Sequence, residues 1–200
     1  MGHGLNVAPE FWLWKSRSAT GSWQAYFTVL GSSSNRLNLN TDGAVSSSYP
    51  GSATNSIINL SDGPTAAWGG TNVIYAFAPV AGYSAFGSYE GNGSDDGPFV
   101  FTGMRPRWLL VKRSSGTGNW ILVDTARSSF NTADEVLIPN SSTTEQDLSA
   151  YTPFDILSNG FKLRDGTDLT GTTNINVSGS TYIYAAFASN PFQANGGLAR

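Results

Sequence analysis

The stretch that decides the fold is residues 7–15, VAPEFWLWK, because it returns as MRPRWLLVK at residues 104–112. In both places a proline stands shortly before a run of apolar residues, and a lysine follows the run. A short apolar run bounded by polar or turn residues is typical of a β-strand that is covered on both faces. The repeated stretch therefore predicts one buried strand in each of two related units.

The similarity between the two halves continues beyond this strand in the same register. TGSW at residues 20–23 matches TGNW at 117–120, which again lies 97 residues later. Near the end of each half, VIYAFA at 73–78 matches YIYAAFA at 182–188, now with 109 residues between the central tyrosines. The second unit therefore carries an insertion of about 12 residues between these two motifs.

The repeat divides the chain into three parts. We predict a first β repeat at residues 1–81, an aromatic and glycine-rich connecting segment at 82–98, and a second β repeat at 99–200. The connecting segment has no counterpart before the first repeat. This asymmetry predicts that the chain is part of a longer protein whose preceding repeat ends just before Met1.

The composition favours an all-β protein. Only 12% of the residues are charged, whereas 40% are hydrophobic and 12% aromatic, with 23 glycines. These values exclude a disordered acidic chain and a helical bundle rich in lysine and glutamate. Short runs of β-branched and aromatic residues recur between Ser, Thr, Asn and Gly, as in β-sandwiches. The sequence predicts two tandem, related antiparallel β-sandwich units of jelly-roll type from an internal duplication, either separate or fused into one sandwich.

The last motif of each repeat predicts how its strand packs. In YAFA at residues 75–78 the two rings alternate with alanines, which places the rings on one face of the strand and the small residues on the other. The same arrangement is expected in YAAFA at 184–188. Its extra alanine is interpreted as a β-bulge.

Charge and residue types exclude several classes of function. The 11 Lys and Arg against 14 Asp and Glu give a net charge of -3, without the broad positive field that nucleic-acid binding needs. No apolar run approaches the roughly 18–20 residues of a membrane-spanning helix, so no membrane insertion is predicted. The chain has no cysteine, and its single histidine, His3, lies beside the N-terminus. A thiol nucleophile is excluded and a histidine-dependent triad is disfavoured.

Acidic residues do not form a recognisable catalytic or metal-binding pattern. Most aspartates stand in Asp-Gly sequences, which are usually turns. Asn92, Asp95 and Asp96 offer oxygen ligands of the kind calcium prefers, but no loop with a closing glutamate follows. A glycosidase needs two opposed carboxylates, and the sequence does not single out such a pair. We therefore predict no enzyme activity, no cofactor and no metal.

Five residues are candidates for ligand binding. Trp68 lies in a glycine-rich loop, where an indole either stacks on a sugar ring or caps one end of the core. Tyr49 and Tyr151 lie in comparable loops near prolines and are weaker candidates for the same role. Arg105 and Arg107 form a basic spot that either binds an acidic sugar or a neighbouring subunit's carboxylate, or keeps a strand edge soluble.

Several long motifs resemble a known family. Residues 82–103, GYSAFGSYEGNGSDDGPFVFTG, with RPRWLLVKR at 105–113, resemble a duplicated domain of unknown function found near the C-termini of tail-fibre-like proteins of tailed bacteriophages, notably marine ones. LSNGFKLR at 157–164 and the motif at 182–188 are similar to later motifs of that family. The first repeat departs from the pattern because residues 10–14 are more aromatic and the leading aromatic strand is missing. The family has no assigned catalytic residues, so none are carried over.

The resemblance implies a protein of the phage virion, made in the bacterial host cytoplasm. Its expected role is that of a non-catalytic tail-fibre segment that recognises a bacterial surface receptor, with a surface polysaccharide as the favoured ligand. Fibres are commonly trimeric, so a homotrimer in contact with other virion proteins is expected. One alternative is a purely structural virion protein, such as a capsid decoration, a fibre shaft or an adaptor. A second alternative is a polysaccharide depolymerase.

Overall fold

The protein is described here by a computed structural model that covers residues 1–47, 51–60, 70–151, 153–164 and 174–190. Within these ranges the regular elements are β-strands, apart from one 3-10 turn at Thr28–Leu30. The all-β prediction is confirmed. No helix in the described ranges is long and apolar enough to cross a membrane.

The strands follow the repeat that the sequence shows. Those of the first repeat are β1 (Phe11–Ser16), β2 (Gln24–Phe27), β3 (Asn35–Asn38), β4 (Ser46–Ser47), β5 (Gly51–Ala53), β6 (Ile58–Leu60) and β7 (Asn72–Phe77). The remaining strands are β8 (Ser84–Glu90), β9 (Phe99–Phe101), β10 (Pro106–Arg113), β11 (Trp120–Asp124), β12 (Glu135–Leu137), β13 (Gln146–Asp147), β14 (Phe154–Leu157), β15 (Gly160–Leu163) and β16 (Thr181–Ala188). Both repeated apolar runs are strands, β1 and β10, as predicted.

Two main antiparallel sheets have corresponding strand orders. The first sheet has the order β4-β3-β2-β1-β7, and the second has β13-β12-β11-β10-β16 with β8 added beyond β16. Each TG motif lies in the loop of an antiparallel hairpin, β1 with β2 and β10 with β11. Two smaller sheets, β5-β6 and β14-β15-β9, occupy corresponding places along the chain. Gly2 forms a bridge to Ile57 beside β6, much as β9 pairs with β15.

Three apolar clusters separate the sheets into layers. The inter-sheet core contains side chains from both repeats, among them Phe11, Phe27 and Trp120. A second cluster, which includes Trp12 and Tyr26, packs the outer face of the first sheet against β5 and β6. The largest cluster packs the outer face of the second sheet against β9, β14 and β15. Because β1 and β10 lie between layers, their apolar runs are buried on both faces.

The extra alanine in the second repeat changes the faces of its strand, contrary to the prediction. Strand β16 pairs with β8 in unbroken register from Thr181 to Phe187, so the alanine is not a bulge. The rings therefore separate: Tyr184 faces the outer core, while Ile183 and Ala185 face the inter-sheet core. The irregularity lies instead on β10 between Pro106 and Trp108, which leaves Arg107 as the extra residue.

Candidate functional site

The largest polar cleft lies where loops of the two repeats meet, and we call it the inter-repeat cleft. Its volume is about 590 Å³. The first repeat supplies the turn after β3, and the second supplies the loop before β11 and the segment from the end of β12 to just after β13. Amide, hydroxyl and carboxylate side chains predominate among the lining residues Asn40, Thr41, Asp42, Asn119, Ile138, Asn140, Ser141, Thr143, Gln146 and Leu148.

Two asparagines hold corresponding walls of the inter-repeat cleft in the same way. The Oδ1 atom of Asn40 accepts the backbone N–H of Trp23 at 2.9 Å, and that of Asn140 accepts the backbone N–H of Trp120 at 2.8 Å. The Nδ2 group of Asn140 also donates to Oδ1 of Asn119 at 2.8 Å. Because these side chains are tied to the hairpins β1-β2 and β10-β11, the cleft walls are positioned by the sheets.

A buried lysine of the second repeat anchors the first-repeat side of the cleft. The side chain of Lys112 is 0% exposed, and its Nζ donates to the carbonyl oxygens of Asp42 at 3.2 Å and of Arg113 at 2.6 Å. The Asp42 carbonyl also accepts the N–H of Gly118 at 2.9 Å. Burial lowers the pKa of Lys112 to about 8, and the Asp42 carboxylate opposes part of this shift. The turn that carries Thr41 and Asp42 is therefore fixed by contacts across the repeat boundary.

An apolar opening between the two main sheets lies next to the polar cleft. This apolar slot has a volume of about 480 Å³ and is lined by Phe11, Leu13, Leu39, Phe77, Trp108, Leu110, Leu122, Pro139 and Phe187. Leu39 and Pro139 directly precede the two cleft asparagines in the chain. The same two loops therefore present polar groups on one side and apolar groups on the other.

An exposed aromatic pair flanks the first-repeat wall of the cleft. Trp23 and Tyr75 stack with ring centroids 6.2 Å apart, and Tyr75 is 51% exposed. The backbone of Trp23 is held on both sides, because its carbonyl accepts the N–H of Leu39 at 2.8 Å and its own N–H donates to Asn40. A ring pair of this kind offers a stacking surface for the apolar face of a sugar.

Three of the five predicted site residues can be placed in the structure, while Trp68 and Tyr49 lie outside the described residues. Tyr151 is partly exposed in the turn after β13, and its N–H donates to the carbonyl of Leu148, a cleft residue, at 2.8 Å. Tyr151 is thus near the inter-repeat cleft along the chain without being part of its lining. Its predicted role in ligand binding stays a prediction.

The two predicted arginines lie apart from the inter-repeat cleft. Arg105 is half-buried and lines a smaller cleft of about 300 Å³ with residues that include Gly82, Met104 and Ser189. Arg107 is exposed at the irregularity of β10, with its Nε 3.8 Å from Oδ1 of Asp124. The basic spot is therefore split between two surroundings.

The Asn92–Asp96 turn is organised by hydrogen bonds within the protein. Asp96 accepts a hydrogen bond from Nζ of Lys162 at 2.6 Å, and this bond lowers the pKa of the Asp96 carboxyl. Nδ2 of Asn92 donates to the carbonyl of Asp96 at 3.0 Å. Within the described ranges no group of three or more His, Cys, Asp or Glu side chains is placed to hold a metal ion.

Sequence reasoning missed the residues that line the inter-repeat cleft. A signal was present, because Asn40 follows Trp23 much as Asn140 follows Trp120. The two asparagines are 100 residues apart, whereas the tryptophans are 97 apart, since the segment between β11 and β12 is longer than its counterpart. This small difference in spacing hid the correspondence.

The geometry defines the chain as a layered all-β protein with a polar cleft at the boundary of its two repeats. A family model described as a domain of unknown function, DUF7483, matches residues 1–191. The chain belongs to this family. No curated protein and no solved structure gives a significant match.

Proposed function

We propose that this chain is a non-catalytic recognition segment of a phage tail fibre that binds a bacterial surface glycan in the inter-repeat cleft. The observation that carries the proposal is the lining of that cleft, where amides and hydroxyls of two loops converge on a space large enough for one or two sugar rings. The phage context rests on the resemblance of the sequence motifs to tail-fibre-like proteins. The proposed location is accordingly the virion, and the proposed partners are a surface polysaccharide and other virion proteins.

The chemistry of the cleft suits a neutral sugar. Thr41, Thr143 and Gln146 offer hydroxyl and amide groups that both donate and accept hydrogen bonds, as sugar hydroxyls do. The Trp23–Tyr75 pair adds an aromatic surface at the first-repeat wall. Because binding sites of this type are largely preformed, the anchoring of their loops limits the entropic cost of binding.

A homotrimer is part of the proposal. Single polar clefts bind sugars weakly, because much of the gain from hydrogen bonds is offset by lost hydration. Three copies on one fibre raise the effective concentration of the second and third sites. Trimerisation would therefore convert weak individual sites into firm attachment to a cell surface.

Exposed aromatic side chains favour a structural virion role as the second candidate. Phe101 is 66% exposed and Phe130 is 84% exposed, and Phe99 lies on the same face of β9 as Phe101. Exposed apolar groups of this size are common where subunits meet. A decoration, shaft or adaptor protein would use these residues for assembly and would leave the inter-repeat cleft without a ligand.

Removing two cleft hydroxyls is expected to weaken glycan binding about tenfold. The test compares the natural chain with the double variant Thr41→Val and Thr143→Val on an array of bacterial surface polysaccharides. Valine keeps the shape of threonine but cannot bond to a sugar hydroxyl. A reducing-end assay on the array polysaccharides, run beside the binding test, reports any depolymerase activity.

The control is Ser88→Ala, which removes an exposed hydroxyl from β8 at the far edge of the second sheet. Recognition in the cleft predicts that this variant binds as the natural chain does. Equal binding by the natural chain and the double variant would place any ligand elsewhere. Absence of binding to every polysaccharide would favour the structural role, and release of new reducing ends would favour the depolymerase.

A further inference from the structure

Strand β7 forms an edge of the first sheet, whereas its counterpart β16 lies inside the second sheet. In the second sheet, β8 pairs with β16 along seven residues, from Thr181↔Glu90 to Phe187↔Ser84. Within the described residues, β7 pairs with β1 alone. The first sheet therefore has an open position where the second sheet holds β8.

The hydrogen-bonding phase of the strands shows which groups of β7 face this position. In β16 the even-numbered residues face β8, since the N–H of Ala188 donates to the carbonyl of Tyr83 at 2.8 Å. In the first sheet the N–H of Arg17 donates to the carbonyl of Thr71 at 2.7 Å, so the odd-numbered residues of β7 face β1. The N–H and C=O groups of Ile74 and Ala76 consequently point away from β1.

The burial of the two strands differs as this open position predicts. Residues 182–186 of β16 are all buried, beneath layers on both faces and beside β8. The corresponding apolar residues of β7 are only partly buried, and Tyr75 is more than half exposed. An exposed apolar strand with open backbone groups is a template for pairing with another strand.

We propose that the free edge of β7 binds an extended strand of a partner polypeptide, in the antiparallel manner in which β8 pairs with β16. The chemistry of that partner follows from β8. Strand β8 places Gly87 opposite the ring of Tyr184 and Phe86 opposite the small Ala185. A Cβ on Gly87 would lie 2.7 Å from the Oη of Tyr184, so a small residue is required there.

The partner strand for β7 is therefore one in which aromatic and small residues alternate. It needs a small residue opposite Tyr75, and it has room for a large one opposite Ala76. Backbone hydrogen bonds to Ile74 and Ala76 supply the affinity, and the match of large and small residues supplies the specificity. This surface is separate from the inter-repeat cleft, so the inference does not depend on glycan binding.

The test uses a fluorescent peptide with the sequence of β8 and its flanks, residues 82–91, GYSAFGSYEG, added to the intact chain. Binding is followed by fluorescence anisotropy, and the contact is mapped by NMR of the ¹⁵N-labelled protein. The proposal predicts saturable binding, with amide shifts centred on Ile74 and Ala76. A peptide methylated on the nitrogen of Gly87 should bind at least tenfold more weakly, whereas one methylated at Ser88 should bind as the parent does.

A protein variant tests the same edge from the other side. Ala76→Pro removes an N–H that points away from β1 and leaves the hydrogen bonds between β7 and β1 in place, so it should abolish peptide binding. If this variant does not fold, the pair of methylated peptides still decides the question.

Three results would overturn the proposal. One is the absence of saturable peptide binding, and another is a set of shifts centred on Tyr184 and Ala186, which would mean that the peptide replaces β8. The third is self-association of the natural chain that Ala76→Pro removes, because the edge would then serve a second copy of this chain.

Discussion

Replacing Trp120 with alanine is expected to lower the free energy of unfolding by about 3–5 kcal/mol, the usual cost of removing a large buried aromatic side chain. Trp120 is 0% exposed in the inter-sheet core, and its Nε1 donates to the carbonyl of Asn38 across the repeat boundary at 2.9 Å. The substitution leaves a cavity between the sheets and an unpaired carbonyl. Thermal and urea unfolding measure the loss, which corresponds to a fall in Tm of about 10 °C for a chain of this size.

The matched control is Trp23→Ala, at the same place in the first repeat. Trp23 is only partly buried and stacks on the exposed Tyr75, so its removal should cost about 1 kcal/mol. Trp120→Phe keeps most of the ring and removes the hydrogen bond, which should cost about 1 kcal/mol. Equal losses for the two alanine variants would mean that Trp120 does not join the two sheets.

Raising the pH from about 7 to about 10 should stabilise the natural chain by about 2–3 kcal/mol relative to Lys112→Met. Burial holds the pKa of Lys112 near 8 in the folded protein, below its ordinary value of 10.5. Between these two values the unfolded chain binds a proton that the folded chain has lost, so stability rises with pH. Below pH 8 the folded protein carries the buried charge, and the penalty is present in full.

The comparison with Lys112→Met isolates this lysine from the other groups that titrate. Burial raises the pKa of Tyr26 to about 12 and also raises the pKa values of Tyr89, Tyr182 and Tyr184. These tyrosines lower stability only as the pH rises above the ordinary tyrosine value of about 10. Urea unfolding of both proteins at intervals across this range gives the difference directly. A difference that does not change with pH would show that the Lys112 ammonium is not desolvated.

The strands could be predicted from the sequence because their signals are local. The run at residues 11–14 and the run at 108–111 are long enough and apolar enough to be strands with both faces covered, and β1 and β10 are such strands. The TG motifs likewise predicted the loops of the two hairpins. Each of these features depends on neighbouring residues and on the twofold periodicity of a strand.

The orientation of side chains within the second repeat could not be predicted in the same way. One additional alanine moves every later side chain to the opposite face unless a bulge absorbs it. In this chain the shift is absorbed on the neighbouring strand, at Arg107, and β16 stays regular. The choice between the two strands depends on packing against β8 and on both apolar cores.

The candidate site also depends on packing between distant segments. Lys112 follows an apolar run just as Lys15 does, and both looked like polar ends of strands. Lys112 is buried because the turn at Asp42 covers it, and that turn lies 70 residues earlier in the chain. The inter-repeat cleft is formed by the same contact, so no local pattern could mark it. Trp68 and Tyr49 stay predictions.

The most direct test of glycan recognition is NMR mapping of the ¹⁵N-labelled chain with an oligosaccharide from the polysaccharide that binds best on the array. Binding in the inter-repeat cleft predicts shifts centred on the backbone and side-chain amides of Asn40, Asp42, Asn140 and Gln146, and predicts that Thr41→Val with Thr143→Val weakens them in parallel. Shifts centred on the smaller cleft at Arg105, or no saturable shifts at all, would contradict the account.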